Sequence, residues 1–232
     1  MTIHVLSNSP SQRVTSFADT FVGADRPFYM GSAWWSVISA RSALGTRLAA
    51  DINIGGTGLV FGDGTGNNDN NLQATFSPVN VDNTAIQAQS PNRGAFVEWE
   101  FVSRPIVGNG CTVAIGVMTV PDQNIGYYWI FGSNDGGTAP GVGKYTGNFA
   151  AGVSFNGGVL LGNVAYTIGD VLRLEAIPET GLVRINTKKN GVVVSTGTDT
   201  GADRLTSGLY SITLLGVFTG KMIFKNFNAG LI

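Results

Sequence analysis

The chain has 232 residues, of which 43% are hydrophobic and only 12% are charged, and its formal net charge at pH 7 is −1. This balance supports an apolar core but provides no basic surface for nucleic acid or an anionic membrane, so we expect neither partner. A single cysteine excludes an intramolecular disulfide, and the 33 glycines predict many tight turns.

The first residues are polar and show no core-forming pattern. We predict an N-terminal arm over residues 1–16 and a single domain over residues 17–232. The arm has neither the basic start nor the apolar run of a secretory signal. Because the chain has a single cysteine, we expect synthesis in a reducing cytoplasm. The apolar positions of the arm, Ile3, Val5 and Leu6, could add to the sheet edge of a partner by β-augmentation.

The rest of the chain consists of short β-branched or aromatic runs between clusters of Gly, Asn, Asp and Pro. This rhythm predicts an all-β fold in which two antiparallel sheets pack as a sandwich. Glycine-rich stretches at 55–71 and 132–143 are predicted to be turn-rich loops. The predicted strands are Trp34–Ser39, Arg47–Ile54, Leu59–Phe61, Leu72–Phe76, Ala85–Gln89, Gly94–Arg104, Thr112–Thr119, Gly126–Gly132, Ala150–Phe155, Val159–Leu161, Val171–Ile177, Leu182–Lys188, Val192–Thr196, Tyr210–Val217 and Met222–Asn228.

Adjacent aromatic residues on these strands are candidate binding residues. Neighbouring side chains on a strand point to opposite faces, so one of each adjacent pair should face away from the core. An outward aromatic ring can stack on a sugar or anchor a subunit interface, although simple packing within the sandwich is an alternative. The candidates for glycan binding or an interface are Trp35, Tyr127, Tyr128 and Trp129.

The first glycine-rich stretch also contains oxygen-bearing side chains. Asp63 and Asp69, with nearby asparagines, could offer ligands to Ca²⁺, but their spacing matches no known calcium loop. Because tight turns favour the same residue types, both explanations stay open for these two residues. We predict no cofactor and no metal site.

Glu98 and Glu100 are two residues apart on a predicted strand and therefore project from one face. A retaining glycosidase needs two carboxylates about 5–5.5 Å apart, so hydrolysis is one interpretation of this pair. The alternative is a pair of solvent-facing glutamates opposite Arg or Lys. The only histidine, His4, lies in the arm, which excludes histidine-based triads from the folded part. We therefore predict no catalytic residues and a protein that is not an enzyme.

Several short motifs resemble the late strands of concanavalin A-like lectin/glucanase jelly rolls, in which a GD-x-L-x-L pattern followed by NG is common. Those motifs are Gly169-Asp-Val-Leu-Arg-Leu-Glu175, the turn Glu179-Thr-Gly181, and Asn190-Gly191-Val192. The resemblance, which spans residues 18–228, implies a concanavalin-like jelly roll. The glucanase branch carries a Glu-x-Asp-x-x-Glu motif. With Glu98 at its first position, Glu100 stands at the second acidic position and Ser103 at the third, so the third carboxylate is missing.

The opening segments Ala18-Asp-Thr-Phe21 and Gly31-Ser-Ala-Trp34 resemble concanavalin-like modules of bacteriophage structural proteins, with Met30 in place of the usual Leu. This resemblance implies a virion structural protein, most simply a capsid decoration or cement protein with capsid or other virion proteins as partners. It further implies a homo-oligomer, taken to be a trimer. The protein would be located in the virion after synthesis in the host cytoplasm. One alternative is a tail adhesin that binds a surface glycan, and another is a polysaccharide hydrolase that uses Glu98 and Glu100.

Overall fold

A computed structural model of the chain describes residues 16–22, 26–27, 35–40, 52–56, 58–61, 74–78, 93–103, 112–120, 125–132, 138–139, 141–146, 159–214 and 222–232. These ranges contain strands, turns and bends and no helix. In particular, they include no helix that is long and apolar enough to cross a bilayer.

The described strands follow the predicted rhythm of short extended segments between turns. In chain order they are β1 (Ser16–Asp19), β2 (Arg26–Pro27), β3 (Trp35–Ala40), β4 (Ile52–Gly55), β5 (Gly58–Phe61), β6 (Ala74–Pro78), β7 (Ala95–Ser103), β8 (Thr112–Val120), β9 (Ile125–Gly132), β10 (Thr138–Ala139), β11 (Val142–Thr146), β12 (Val159–Leu161), β13 (Val164–Ala165), β14 (Val171–Glu179), β15 (Leu182–Lys189), β16 (Val192–Asp199), β17 (Leu209–Leu214) and β18 (Met222–Leu231).

Two large antiparallel sheets account for most of these strands. The nine-stranded sheet has the order β16-β15-β14-β7-β18-β5-β4-β2, with β1 also paired to β18. The seven-stranded sheet has the order β12-β11-β9-β8-β17-β6-β3, and β10 and β13 form a separate two-stranded ladder. The prediction of an all-β, two-sheet antiparallel sandwich is confirmed.

The core lies between the two sheets and is built by alternation along each strand. On β7, Val97, Trp99 and Phe101 are fully buried, whereas the residues between them are partly exposed. The ring of Trp99 meets the ring of Trp129, from β9 of the other sheet, in an edge-to-face contact at 5.6 Å. Such aromatic pairs add to the stabilisation from buried apolar area and hold the two sheets together.

Two of the motifs behind the resemblance form one hydrogen-bonded unit. Asn190 and Gly191 have φ angles of 51° and 81°, as a two-residue hairpin turn requires. The Asn190 side chain donates to Asp170 Oδ1 at 2.8 Å and accepts the N–H of Val171 at 2.9 Å. The carboxylate of Asp170 in turn accepts the backbone N–H of Thr167 at 2.7 Å. This unit fixes the start of β14 against the hairpin that joins β15 to β16.

The structure differs from the predicted strands in several places. The stretch 132–143, predicted to be a loop, contains β10 and the beginning of β11. Gly141 has a φ of 108°, an angle that glycine tolerates, and its backbone approaches β12 closely, so this glycine belongs to a strand junction. The strands β1, β2 and β13 were not predicted. Predicted strands Ala85–Gln89 and Ala150–Phe155, and residues 47–51, lie outside the described ranges.

Candidate functional site

Glu98 and Glu100 lie on the outer face of the nine-stranded sheet. Because β7 alternates regularly, these side chains point away from the core to which Trp99 contributes. Glu100 is held on both carboxylate oxygens: Lys225 Nζ lies 2.9 Å from Oε1, and Asn226 Nδ2 donates to Oε2 at 2.8 Å. Asn226 is placed for this contact by an irregularity in β18, where its φ is 53°.

Polar side chains from four adjacent strands meet on the same outer face, and we call them the polar patch. It consists of two cross-strand rows. In the first row, Arg173 of β14 lies between Glu98 of β7 and Lys188 of β15. In the second row, Asn186 of β15 lies between Glu175 of β14 and Thr196 of β16. Directly opposed residues on neighbouring antiparallel strands have their side chains on one face and within contact distance.

Glu175 is the centre of the polar patch. Its carboxylate is buried although it lies on the outer face, because neighbouring side chains cover it. Arg173 Nε and Lys188 Nζ each lie 2.7 Å from Oε1, and Asn186 Nδ2 donates to Oε2 at 3.2 Å. Burial alone would raise the pKa of Glu175, but the hydrogen bonds from Lys188 and Asn186 and the charge of Arg173 outweigh it and hold that pKa below its usual 4.5.

The guanidinium group of Arg173 is fixed from two further directions. Its Cζ lies 3.6 Å from the centroid of the Phe96 ring, a cation–π contact, and its Nη1 lies 3.8 Å from Glu98 Oε2. The Arg173 side chain nevertheless keeps 23% of its surface exposed. The polar patch therefore presents planar polar groups to solvent whose orientations are already set.

Three of the four predicted aromatic candidates are not on the surface. Tyr127 and Trp129 point into the core, and Tyr128 points to the other side of β9, as alternation requires, but all three are fully buried. Tyr128 lies against Gly116 and Gly126, where an added Cβ would approach its ring carbons to 2.5 and 2.8 Å. The expectation that the outward residue of such a pair is exposed is thus corrected for Tyr128: alternation predicts the side of a sheet, but not whether that side is covered.

Tyr127 instead belongs to a buried polar cluster between the edges of the two sheets. Its hydroxyl donates to Asp199 Oδ2 at 2.8 Å and accepts the N–H of Leu205 at 3.1 Å. Lys144 Nζ lies 3.1 Å from the same Asp199 oxygen and 2.7 Å from Asp203 Oδ1. Burial raises the pKa of Tyr127 well above its usual value, so the hydroxyl stays protonated. Sequence reasoning missed this cluster because its members are far apart in the chain.

The remaining candidates lie outside what the structure describes. Trp35 is the first residue of β3, but its side chain is not described, and Ile3, Val5 and Leu6 fall outside the described ranges. Asp63 and Asp69 also fall outside the described ranges, so whether they bind calcium or only form turns stays open. Within the described ranges, no three or more His, Cys, Asp or Glu side chains gather in a group suited to a metal ion.

The chain matches no protein-family model, and no curated protein is significantly similar to it in sequence. Its fold, however, is similar to those of several solved structures. An endo-1,3-β-glucanase from Streptomyces sioyaensis superposes with a TM-score of 0.62 at 14% identity, covering 96% of this chain and 99% of the glucanase. A legume lectin-like domain from Entamoeba histolytica gives a TM-score of 0.48 at 11% identity, covering 77% and 85% of the two chains. Peanut lectin gives a TM-score of 0.44 at 13% identity, covering 94% and 97%.

The glucanase similarity corrects one prediction. The chain was predicted not to be an enzyme because no triad or third carboxylate was found, yet a protein with the same fold over almost the same length is a glucanase. Enzymatic activity is therefore compatible with this architecture, and the exclusion was wrong. What the similarity shows directly is the fold: a two-sheet antiparallel sandwich like that of the glucanase.

Proposed function

We propose that this chain binds a neutral polysaccharide through the polar patch on the outer face of the nine-stranded sheet. The observation that carries the proposal is the fixed Arg173–Glu175 pair, with Arg173 also stacked on Phe96. Glycan hydroxyls are bound by planar donors and acceptors, and binding is stronger when these groups need not be ordered first. The shared fold with an endo-1,3-β-glucanase supports a polysaccharide as the ligand.

The charges of the polar patch favour a neutral over an acidic glycan. Its two cations, Arg173 and Lys188, are matched by two anions, Glu98 and Glu175, through ion pairs of 2.7 to 3.8 Å. An acidic polysaccharide would need cations that are not already neutralised. A neutral chain needs only hydrogen-bond donors and acceptors, which the carboxylate, guanidinium and amide groups provide.

The test is a pull-down on insoluble β-1,3-glucan, with an alginate gel as the acidic comparison. We expect the wild type to bind the glucan and not the alginate, and Arg173→Gln to bind roughly 10–100-fold more weakly, because a hydrogen bond to a charged group contributes about 1.5–3 kcal/mol. Arg184→Gln is the matched control, since Arg184 lies on the same face and pairs with Glu179 outside the polar patch. Stronger binding to alginate, or equal binding by wild type and Arg173→Gln, would refute the proposal.

Hydrolysis is the second candidate, and the similarity to a glucanase favours it. The described strands of the seven-stranded sheet carry no Asp or Glu. Glu98 and Glu100 share one face of β7, and a retaining glycosidase needs two carboxylates close together. Both oxygens of Glu100 are already engaged, however, which leaves neither free for proton transfer without rearrangement. The test is the release of reducing ends from β-1,3-glucan. Loss of release in both Glu98→Gln and Glu100→Gln would support this pair, and retention would exclude it.

The virion role implied by the resemblance stays a prediction. Its capsid contact was assigned to Ile3, Val5 and Leu6, which lie outside the described ranges, and the predicted partners, trimer and location have no structural support here. Deleting residues 2–14 should leave a folded sandwich that no longer binds capsids. A truncated protein that decorates particles as fully as the wild type would contradict it.

A further inference from the structure

The outer edge of β16 is the most apolar exposed feature of the described structure. β16 ends the nine-stranded sheet and pairs with β15 on one side, while no described strand pairs with its other side. Val192, Val193 and Val194 are 66%, 47% and 43% exposed. They are three of the six large apolar residues exposed within the described ranges; the others are Val22, Ile168 and Ile232.

This edge lacks the exposed charges and prolines that usually protect a sheet edge against strand pairing. Exposed edges are normally blocked by charged side chains or proline, since their free N–H and C=O groups can pair with another chain. The only charged residue of β16 is Asp199, and that carboxylate is buried against Lys144. An irregularity between Val193 and Ser195 shortens the regular edge, but the residues after it continue in register with β15 as far as Asp199.

The charges at the two ends of β16 favour a second copy of this chain in an antiparallel arrangement. At the N-terminal end lies Lys189, one-third exposed, whose nearest carboxylate oxygen, on Asp170, is 4.0 Å away. Beyond the C-terminal end lies Asp203, which pairs with the buried Lys144 through Oδ1 at 2.7 Å but keeps 70% of its side chain exposed. A two-fold axis through the middle of β16 brings the basic end of each copy beside the acidic end of the other, whereas a parallel arrangement would bring like charges together.

We propose that two copies of this chain pair through their β16 edges to form a symmetric dimer with one continuous sheet. Each copy uses the same strand, so the contact is self-complementary and closes with two copies, in contrast to the trimer implied by the resemblance. The exposed valines supply apolar surface for the contact, and the edge backbone groups that pair with no described strand supply its hydrogen bonds. This inference is independent of the proposed glycan site.

The test is the molar mass in solution, measured by light scattering after size exclusion over a range of concentrations. We expect the wild type to be a dimer that weakens as salt is added, because its end-to-end charge pairs are exposed. Val193→Glu should be monomeric and still folded, since the new carboxylate lies opposite Lys188. Ile168→Glu, at a turn position that is 63% exposed, is the matched control and should remain dimeric.

Four outcomes would overturn the dimer. They are a monomeric wild type at its highest soluble concentration, a trimer, a Val193→Glu protein that remains dimeric, and dissociation by Ile168→Glu to the same extent as by Val193→Glu. Far-UV circular dichroism and thermal unfolding of each variant show whether a change of mass reflects loss of the fold.

Discussion

Substituting methionine for Lys144 removes the cation of the buried polar cluster while keeping most of the side-chain volume. Lys144 is 4% exposed, and its ammonium group lies 3.1 Å from the carboxylate of Asp199, which is 8% exposed. After the substitution this carboxylate is buried with the Tyr127 hydroxyl as its remaining side-chain donor. The cluster joins β11 of one sheet to β16 of the other, so its loss weakens the contact between the two sheets.

Removing one partner of a buried ion pair costs about 3–5 kcal/mol, because the other charge is left uncompensated. We expect a value near the lower end, about 3 kcal/mol, because the Tyr127 hydroxyl still donates to Asp199. For a chain of this size that corresponds to a fall in melting temperature of about 6–12 °C. Lys144 also pairs with Asp203, whose side chain is 70% exposed, so Asp203→Asn should cost only about 0–1 kcal/mol.

The free energy of unfolding, from equilibrium denaturation in urea, tests this reasoning. Lys144→Met combined with Asp199→Asn should be less destabilised than Lys144→Met alone, because the double variant buries no unpaired charge. Two results would refute this reasoning: a cost for Lys144→Met no larger than that for Asp203→Asn, or a double variant no more stable than Lys144→Met. Either would mean that losing the ammonium group of Lys144 does not leave Asp199 with an uncompensated charge.

Three further predictions concern stability. The pKa of Glu175 is lower in the folded state than its usual 4.5, so its ionised form stabilises the fold above that pH. This contribution is lost as the pH falls through the folded pKa. The free energy of unfolding should therefore fall less steeply between pH 7 and acid in Glu175→Gln than in the wild type. Gly116→Ala should cost about 1–3 kcal/mol by urea denaturation, because its Cβ would lie 2.5 Å from the buried Tyr128 ring, whereas Gly162→Ala, with open space around it, should be close to neutral. Trp99→Ala should cost about 3–5 kcal/mol in the same assay, because it removes a large buried side chain. Trp99→Phe should cost less, because it keeps an aromatic ring and the indole N–H that it removes has no hydrogen-bond partner within the described structure. Equal costs for the two variants would contradict this.

The candidate site shows how far pattern reasoning extends. The spacing of Glu98 and Glu100 correctly placed both on one face, because side chains alternate along a strand. That reasoning could not identify Arg173 or Lys225 as their partners, since the partner of a residue depends on which strand lies beside its own. The buried state of Tyr128 was missed for a related reason: alternation fixes a direction, but not what covers that direction.

The sequence by itself determined the fold class, because short alternating runs between turn residues can be satisfied by packed antiparallel sheets and not by helices. It also located the hairpin at Asn190 and Gly191, since few residue pairs adopt the positive φ angles that this turn needs. Only the tertiary structure decided which strands are neighbours. That choice brings Tyr127, Lys144 and Asp199 together across the sheets and leaves the outer edge of β16 without a partner among the described strands. Contacts between residues distant in sequence depend on strand order and register, which short-range patterns do not encode.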